Sequence, residues 1–279
     1  MHNTLEKSCQ TWANRGQHGS PEQRLAQGAL WDPYYSCIAK SWNSASPEAP
    51  AQAEEVSTFL RSNGILRPDT TLLDIGAGMG DYALAFAPHC RKITALDRNR
   101  DCLEVLRDRA TRLSVPNLQI QHEAWETFQP ADTYDVSFSS MCPAICDYDE
   151  LLRMESMTKE TCCLIAVMRG SRDKHRHRMM QQLEFVPRGG MATEALQYYE
   201  VLYLMGRKPD VKYWTTHQTY EIPAEQFLER YSVYFRIFGI SPDASIPYLK
   251  GYIAENSTDG IITEESQLNT ALIYWDVPK

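Results

Sequence analysis

From about residue 60 onward, short apolar runs alternate with stretches in which apolar residues recur every three or four positions. That is the pattern of a parallel sheet covered by helices. The runs are Thr71-Leu72-Leu73-Asp74-Ile75, Lys92-Ile93-Thr94-Ala95-Leu96 ending at Asp97, Leu118-Gln119-Ile120-Gln121, Tyr134-Asp135-Val136-Ser137-Phe138 and Cys162-Cys163-Leu164-Ile165-Ala166-Val167. Between the second and third, residues 99–114 set Cys102, Leu103, Leu106 and Ala110 along one helical face, and Pro116-Asn117 then breaks the chain. The spacing predicts a compact, doubly wound α/β unit. After the fifth run the pattern changes: residues 191–206 read as a helix, 211–220 as a strand, 224–239 as a helix and 270–277 as a closing strand. The Pro/Ala/Ser-rich segment 44–53 reads as a connection from an N-terminal helical element. Both flanking regions are expected to cover the carboxyl edge of the sheet, where open α/β sheets bind ligands.

The first strand runs into Gly76-Ala77-Gly78-Met79-Gly80, just before a predicted helix. Glycines there allow positive φ and let a ligand approach the main chain closely. The dinucleotide fingerprint G-x-G-x-x-G needs a small residue where this chain has Asp81, and a carboxylate would repel a pyrophosphate, so NAD is disfavoured. A cationic ligand without phosphates tolerates Asp74 before the turn and Asp81 after it. Asp97 ends the second strand 21 residues beyond Gly76, where a carboxylate can accept hydrogen bonds from both hydroxyls of a ribose. His122-Glu123-Ala124-Trp125 follows the third strand and offers polar, small and aromatic groups suited to an adenine. Ser139-Ser140-Met141-Cys142-Pro143 follows the fourth, at the switch point beside the first strand.

Over residues 72–84 (LLDIGAGMGDYAL), 93–110 (ITALDRNRDCLEVLRDRA), 119–128 (QIQHEAWETF) and 134–145 (YDVSFSSMCPAI), the chain resembles the class I S-adenosylmethionine-dependent methyltransferases, in particular their small-molecule group. The resemblance covers residues 55–170 well and the rest loosely. It implies a mostly parallel, Rossmann-like, seven-stranded sheet with a helical lid from the N-terminus and from C-terminal insertions. It further implies an N-terminal helical cap over residues 1–52, a cofactor-binding core over 53–170, and lid helices with the last two core strands over 171–279. By the same resemblance Asp74, Gly76, Ala77, Gly78 and Gly80 surround the methionine part of S-adenosyl-L-methionine. Asp97 and Arg98 lie at the ribose, Glu123, Ala124 and Trp125 at the adenine, and Ser139, Ser140 and Met141 form the floor near the sulfonium. Relatives that methylate exocyclic or side-chain amines carry Asn/Asp-Pro-Pro-Tyr/Phe after strand four. The stretch Ser140-Met141-Cys142-Pro143-Ala144 departs from that pattern, which argues against a nucleobase or glutamine-amide acceptor.

Composition narrows the picture further. With 28 Lys+Arg against 36 Asp+Glu the net charge is -8, a field that repels a phosphate backbone, so no nucleic-acid partner is expected. No run approaches the length of a membrane span and the N-terminus lacks a secretion signal, so the chain is expected in the cytoplasm. The eight cysteines are scattered among apolar neighbours, and neither Cys142-x-x-x-Cys146 nor Cys162-Cys163 has the spacing of a zinc site, so no metal is expected.

Methyl transfer from a sulfonium is an in-line displacement in which alignment and desolvation supply much of the catalysis, so a base is optional. No catalytic residue is fixed by the sequence; His122, His177 and His217 are the candidate bases. Tyr34, Tyr35, Cys142, Tyr199 and Tyr203 are the candidate acceptor-pocket residues, drawn from the aromatic concentrations at both ends of the chain. Arg172-Asp173-Lys174-His175-Arg176-His177-Arg178 reads as a solvated loop or helix start, or else as a patch that recruits an anionic acceptor. The expected activity is methylation of a small molecule. The alternatives are a protein or peptide methyltransferase, a non-catalytic cofactor-binding sensor or assembly module, and, more distantly, a nucleotide-dependent oxidoreductase.

Overall fold

A computed structural model describes residues 4–9, 20–42, 49–183 and 195–278. Leu72 to Ile75 are buried on both faces, as a central parallel strand requires. This strand, β1 (Thr71–Ile75), lies between β2 (Lys92–Asp97) and β4 (Tyr134–Ser140), with β3 (Leu118–His122) outside β2 and β5 (Thr158–Val167) outside β4. All of these pairings are parallel. Antiparallel to β5 runs β8 (Ile261–Asp276), which also pairs with β6 (Arg172–Asp173) and β7 (Asp210–Pro223). The sheet therefore has eight strands where seven were expected.

Helices cover both faces. On one side α3 (Ala51–Ser62), α4 (Asp81–Phe86) and α5 (Arg100–Arg112) contribute Val56, Leu60, Phe86, Leu103 and Leu106 to a core with Leu72, Ile93 and Phe138. On the other, α6 (Tyr148–Ser156) and α8 (Ala195–Leu204) bury Leu151, Met154, Tyr198, Val201 and Leu202 against Leu73, Ile75, Leu164 and Ile273. The helices expected over 99–114 and 224–239 form as α5 and as α9 (Ala224–Ile237). The one expected over 191–206 forms as α8, and its first four positions lie outside the described residues. The first half of the 44–53 connection, residues 44–48, lies outside them too, and α3 begins at Ala51, inside the expected connection.

The main departure from expectation is the length of β8. Its pairing with β5 ends at Thr270, opposite Val167, but residues 261–269 continue as a ribbon with β7. Nine extended residues at ~3.4 Å each carry this ribbon on the order of 30 Å past the carboxyl end of β5. The closing strand expected over 270–277 is only its sheet-bound half. On the ribbon hang β6, α7 (Lys174–Gln182), α9 and α10 (Pro242–Asn256). They enclose a third core of Met179, Ile222, Phe227, Tyr231, Tyr234, Phe235, Leu249, Tyr252 and Ile262. The segment 172–178, expected as a loop or helix start, is a two-residue strand running into α7, with Asp173 capping the helix through the Arg176 backbone N–H.

Two N-terminal helices, α1 (Pro21–Ala29) and α2 (Asp32–Lys40), close over this upper layer. A reciprocal Ser20–Gln23 capping box starts α1. Trp31 then inserts its ring edge-on among Tyr34, Tyr234 and Phe238, at centroid distances of 5.8, 6.2 and 5.8 Å. Arg24 crosses to Glu150 at 2.6 Å and Asp147 at 3.3 Å, tying the cap to the start of α6.

Below the sheet edge, the buried Glu155 carboxylate accepts two hydrogen bonds from Arg207, each 2.8 Å, and one from the Trp275 indole at 2.7 Å. Glu155→Ala leaves the buried Trp275 indole without this acceptor while Arg207 keeps the Met205 carbonyl, so chemical denaturation is expected to show a loss of about 1–3 kcal/mol, the range for an unsatisfied buried donor. A loss within experimental error would remove this trio from the stabilising framework.

Candidate active site

At the end of β1 the chain turns through Gly76, Gly78 and Gly80 with φ of 73°, 55° and 84°. All three occupy the left-handed region that glycine alone adopts without strain, but their surroundings differ. A Cβ on Gly80 would lie 2.0 Å from Leu106, so this glycine lets α5 pack. One on Gly76 would lie 2.5 Å from the Cys142 sulfur, so that glycine admits the end of β4. At Gly78 nothing lies within 4 Å: the turn is open there.

The open turn is held by Asp97. Its carboxylate accepts the Gly78 N–H at 2.8 Å and the Asn99 N–H at 2.7 Å, linking the turn to the corner between β2 and α5. Burial pushes the Asp97 carboxyl upward, against these two hydrogen bonds. Asp74 is the stronger case: burial first, then the charges of Asp97 and Asp81, push it up to about 8. At neutral pH its carboxyl is mainly protonated and can give up that proton to a cation bound beside it, while Asp81 is paired with the buried Arg109 at 2.7 Å.

Arg98 points away from the turn. Its guanidinium donates to Asp32 and to the Leu25 carbonyl, each at 3.1 Å, and lies where a Gly28 side chain would be. It seats the cap rather than lining the turn. Asn99 adds bonds to the Asp32 carbonyl and Ser36 while capping α5. Glu123 extends from β3 with its backbone N–H on the Asp97 carbonyl, and Ala124 is half-buried beside it. Trp125 lies inside the lower core: its indole donates to Glu150 and Arg153 stacks on its ring.

At the end of β4, Ser139 is buried and its hydroxyl donates to the Ile75 carbonyl, locking β4 to β1. Ser140 lies against the Tyr82 phenol. Met141 takes a left-handed φ of 49°, and this turn carries Cys142 onto Gly76. Burial pushes the Cys142 thiol up to about 12, which keeps it un-ionised. Tyr35 lies close to Cys142 and Asp97, with 37% of its surface accessible. Tyr34 packs beside it with ring centroids 5.7 Å apart.

Three further expectations need correction. Tyr199 and Tyr203 stack on each other on the outward face of α8, with Tyr203 65% exposed; Ala195, Tyr198, Val201 and Leu202 form its inward face. His217 is exposed on β7, and strand alternation puts it on the face opposite Tyr220 and the buried Ile222. His177 is exposed on α7 against Gln181. Of the candidate bases only His122 lies at the carboxyl edge, opposite Asp97, where its exposed ring bonds to the Arg98 carbonyl.

The structure also gathers residues that no motif marks. Deeper in the upper layer, Arg176 is surrounded by Asp173, Tyr34, Tyr231 and Tyr234. Tyr220 and the buried Glu264 complete the group. The basic run of residues 172–178 was the one available signal, and it did not single out Arg176. Among the described residues no set of three His, Cys, Asp or Glu is placed to hold a metal ion, and no helix is long and apolar enough to cross a membrane.

Comparison with known proteins agrees with this geometry. Residues 72–159 match the family model described as a methyltransferase domain. The chain is 30% identical over 87 residues to the uncharacterized methyltransferase YcgJ of Bacillus subtilis, a match covering 31% of this chain and 34% of that protein. It is 39% identical over 59 residues to the release factor glutamine methyltransferase of Vibrio cholerae, covering 20% and 21% of the two chains. The chain thus matches about a third and a fifth of the length of these curated relatives. In fold, the crystal structure of YcgJ superimposes with a TM-score of 0.52 at 14% identity, over 81% of this chain and 99% of that one. Residues 72–159 thus carry a methyltransferase domain, with S-adenosylmethionine as its cofactor, in a fold shared with YcgJ. The site fits that molecule: the turn is open where Gly78 lacks a neighbour, and the nearby charge is acidic, which suits a sulfonium and an ammonium.

Cofactor binding should therefore be linked to a proton. A cation beside Asp74 lowers its pKa from about 8, so binding releases a proton and affinity rises with pH. Calorimetry with S-adenosylhomocysteine between pH 6 and 7.5 is expected to show tightening, limited to about tenfold per unit, and Asp74→Asn should flatten the profile. For stability the sign is reversed. Because the folded pKa is raised, the contribution present at acid pH is lost as pH rises toward 8, so the Tm gain of Asp74→Asn in the unliganded protein should grow with pH. A pH-independent affinity in the parent protein would exclude Asp74 from the pocket.

Proposed function

We propose that this chain transfers the methyl group of S-adenosylmethionine to a small-molecule acceptor held beneath the cap and ribbon. The observation that carries the reading is the open glycine turn latched by Asp97. S-adenosylmethionine supplies an electrophilic methyl group on a sulfonium. Gly76, Ala77, Gly78 and the acids Asp74 and Asp97 would hold the cofactor, and the unblocked side of Gly78 leaves it room. Asp97 would take the ribose while keeping its two backbone bonds, Glu123 and Ala124 would lie at the adenine edge, and Ser140 and Met141 would lie near the sulfur. Residues 1–52 form the cap in this reading, 53–170 the cofactor-binding core, and 171–279 the lid and remaining strands.

The role of the protein is then to align the acceptor and exclude water, which lowers the barrier without a dedicated base. The Asp97 carboxylate, which already occupies the Gly78 N–H, disfavours a diphosphate at the turn and speaks against a dinucleotide. The net charge of -8 supports an acceptor other than nucleic acid. All eight cysteines are free thiols, which supports a cytoplasmic setting.

Saturating S-adenosylhomocysteine, at a hundred times its Kd, is expected to stabilise the protein by about 2.7 kcal/mol, with no stabilisation by NAD. Asp97→Ala should weaken that ligand by about tenfold or more while the protein stays folded by circular dichroism. Transfer of label from methyl-labelled S-adenosylmethionine into a small-metabolite extract, followed by mass spectrometry of the product, tests the acceptor class. Label appearing only in protein would overturn it.

A further inference from the structure

We infer that a proton held between the Glu264 and Asp173 carboxyls locks β6 and α7 onto the ribbon, so that the upper layer loosens as the pH rises. The inference goes beyond the methyltransferase reading and does not rest on it. Strand geometry brings the two acids together. Asp173 on β6 pairs with Ser266 on β8, and Glu264 lies two residues along the ribbon on the same face. Diagonal neighbours of an antiparallel pair meet there, and the two carboxyls lie within hydrogen-bonding reach. Glu264 is fully buried, as is Ile262 on the same face of the ribbon.

The donors around each acid decide which one carries the charge. Asp173 accepts the Arg176 backbone N–H at 3.0 Å and the Tyr231 hydroxyl at 3.4 Å, and its second oxygen lies 3.8 Å from Arg176 Nε. Glu264 accepts the His175 backbone N–H at 3.3 Å through Oε1, while its Oε2 meets no donor among the described residues. Two ionised carboxylates facing each other in a buried site are strongly disfavoured. A proton on Glu264 turns the contact into a hydrogen bond donated to Asp173. Burial first, and the charge of Asp173 next, push Glu264 up to about 8, against the His175 N–H and the Arg176 charge.

The other groups that face Glu264 keep their protonation states across this range. Arg176, on α7, is charged throughout. His175, on the same helix, is pushed down by burial, and a neutral ring satisfies both of its contacts, Nε2–H to the Thr263 carbonyl at 3.0 Å and Nδ1 from the Tyr252 hydroxyl at 2.8 Å. Burial pushes Tyr252 on α10 and Tyr220 on β7 up to about 12, and it also raises Tyr34 on α2 and Tyr231 on α9. When β6 and α7 lift from the ribbon, Glu264 meets water and recovers the ordinary carboxylate value. Because its folded value is the higher one, the contribution is present at acid pH and is lost as the pH rises toward 8. Opening should grow by up to about tenfold per pH unit in that window and level off above it.

Hydrogen exchange on the unliganded protein at pH 6.5 and 7.5, corrected for the intrinsic rate of each amide, tests the lock. It compares amides of α7 and of residues 261–269 with those of β1 and β2. In the parent protein the upper-layer amides should open about five- to tenfold more often at the higher pH, with β1 and β2 unchanged. Glu264→Gln keeps a donor to Asp173 but has no proton to lose, and should abolish the change. Asp173→Asn keeps the cap of α7 and offers the Glu264 carboxylate a donor, so it should flatten the same window. Opening that is independent of pH in the parent, that keeps its pH dependence in either variant, or that rises equally in β1 and β2 would overturn the lock. Should Glu264→Gln fail to fold, Asp173→Asn decides alone.

Discussion

Two backbone N–H groups converge on one carboxylate, Asp97, and the geometry of the site depends on that convergence. The Gly78 N–H comes from the turn after β1 and the Asn99 N–H from the corner after β2, so a single side chain sets the spacing of two loops from neighbouring strands. The adjacent Arg98 and Asn99 reach the other way, to Leu25, Asp32 and Ser36. Three consecutive residues therefore join the floor of the site to its roof. The acids crowded around the turn are costly in the empty protein, and a cationic cofactor would relieve that cost.

Much of this was legible in the sequence because the core elements have undisguised patterns. β1, β2 and β4 are apolar runs ending in glycine, aspartate and serine at the edge where ligands bind, and their order fixes the turn, Asp97 and the β4 corner in space. The upper layer was less legible, for reasons that can be named. In residues 261–269 the inward positions of the ribbon include Ile262 and Glu264, and a buried glutamate in an apolar slot erases the alternation that marks a strand. In α7 the inward residues are His175 and Met179, one turn apart within a run of charges, so the helix reads as solvated. His175 is held there by Tyr252 and the Thr263 carbonyl.

The misplaced residues have an equally physical origin. α8 (ALQYYEVLYL) is apolar on nearly every side, so periodicity could not separate Tyr198, which bonds the Ile145 carbonyl, from Tyr199, which faces out. His217 lies within a strand whose faces are told apart only by pairing it with β8. Trp125 follows the carboxyl end of β3 in sequence, but it turns down into the core, where its indole donates to Glu150. In each case composition identified the residue type and tertiary pairing decided its direction.

The aromatic cluster of the upper layer is packed as a body of its own, separate from the two cores that flank the sheet. Substitutions within it need not propagate into the strands that carry the glycine turn. Descendants of this architecture are thus free to revise one module while inheriting the glycine turn intact, and diversity across such a lineage should accumulate above the sheet.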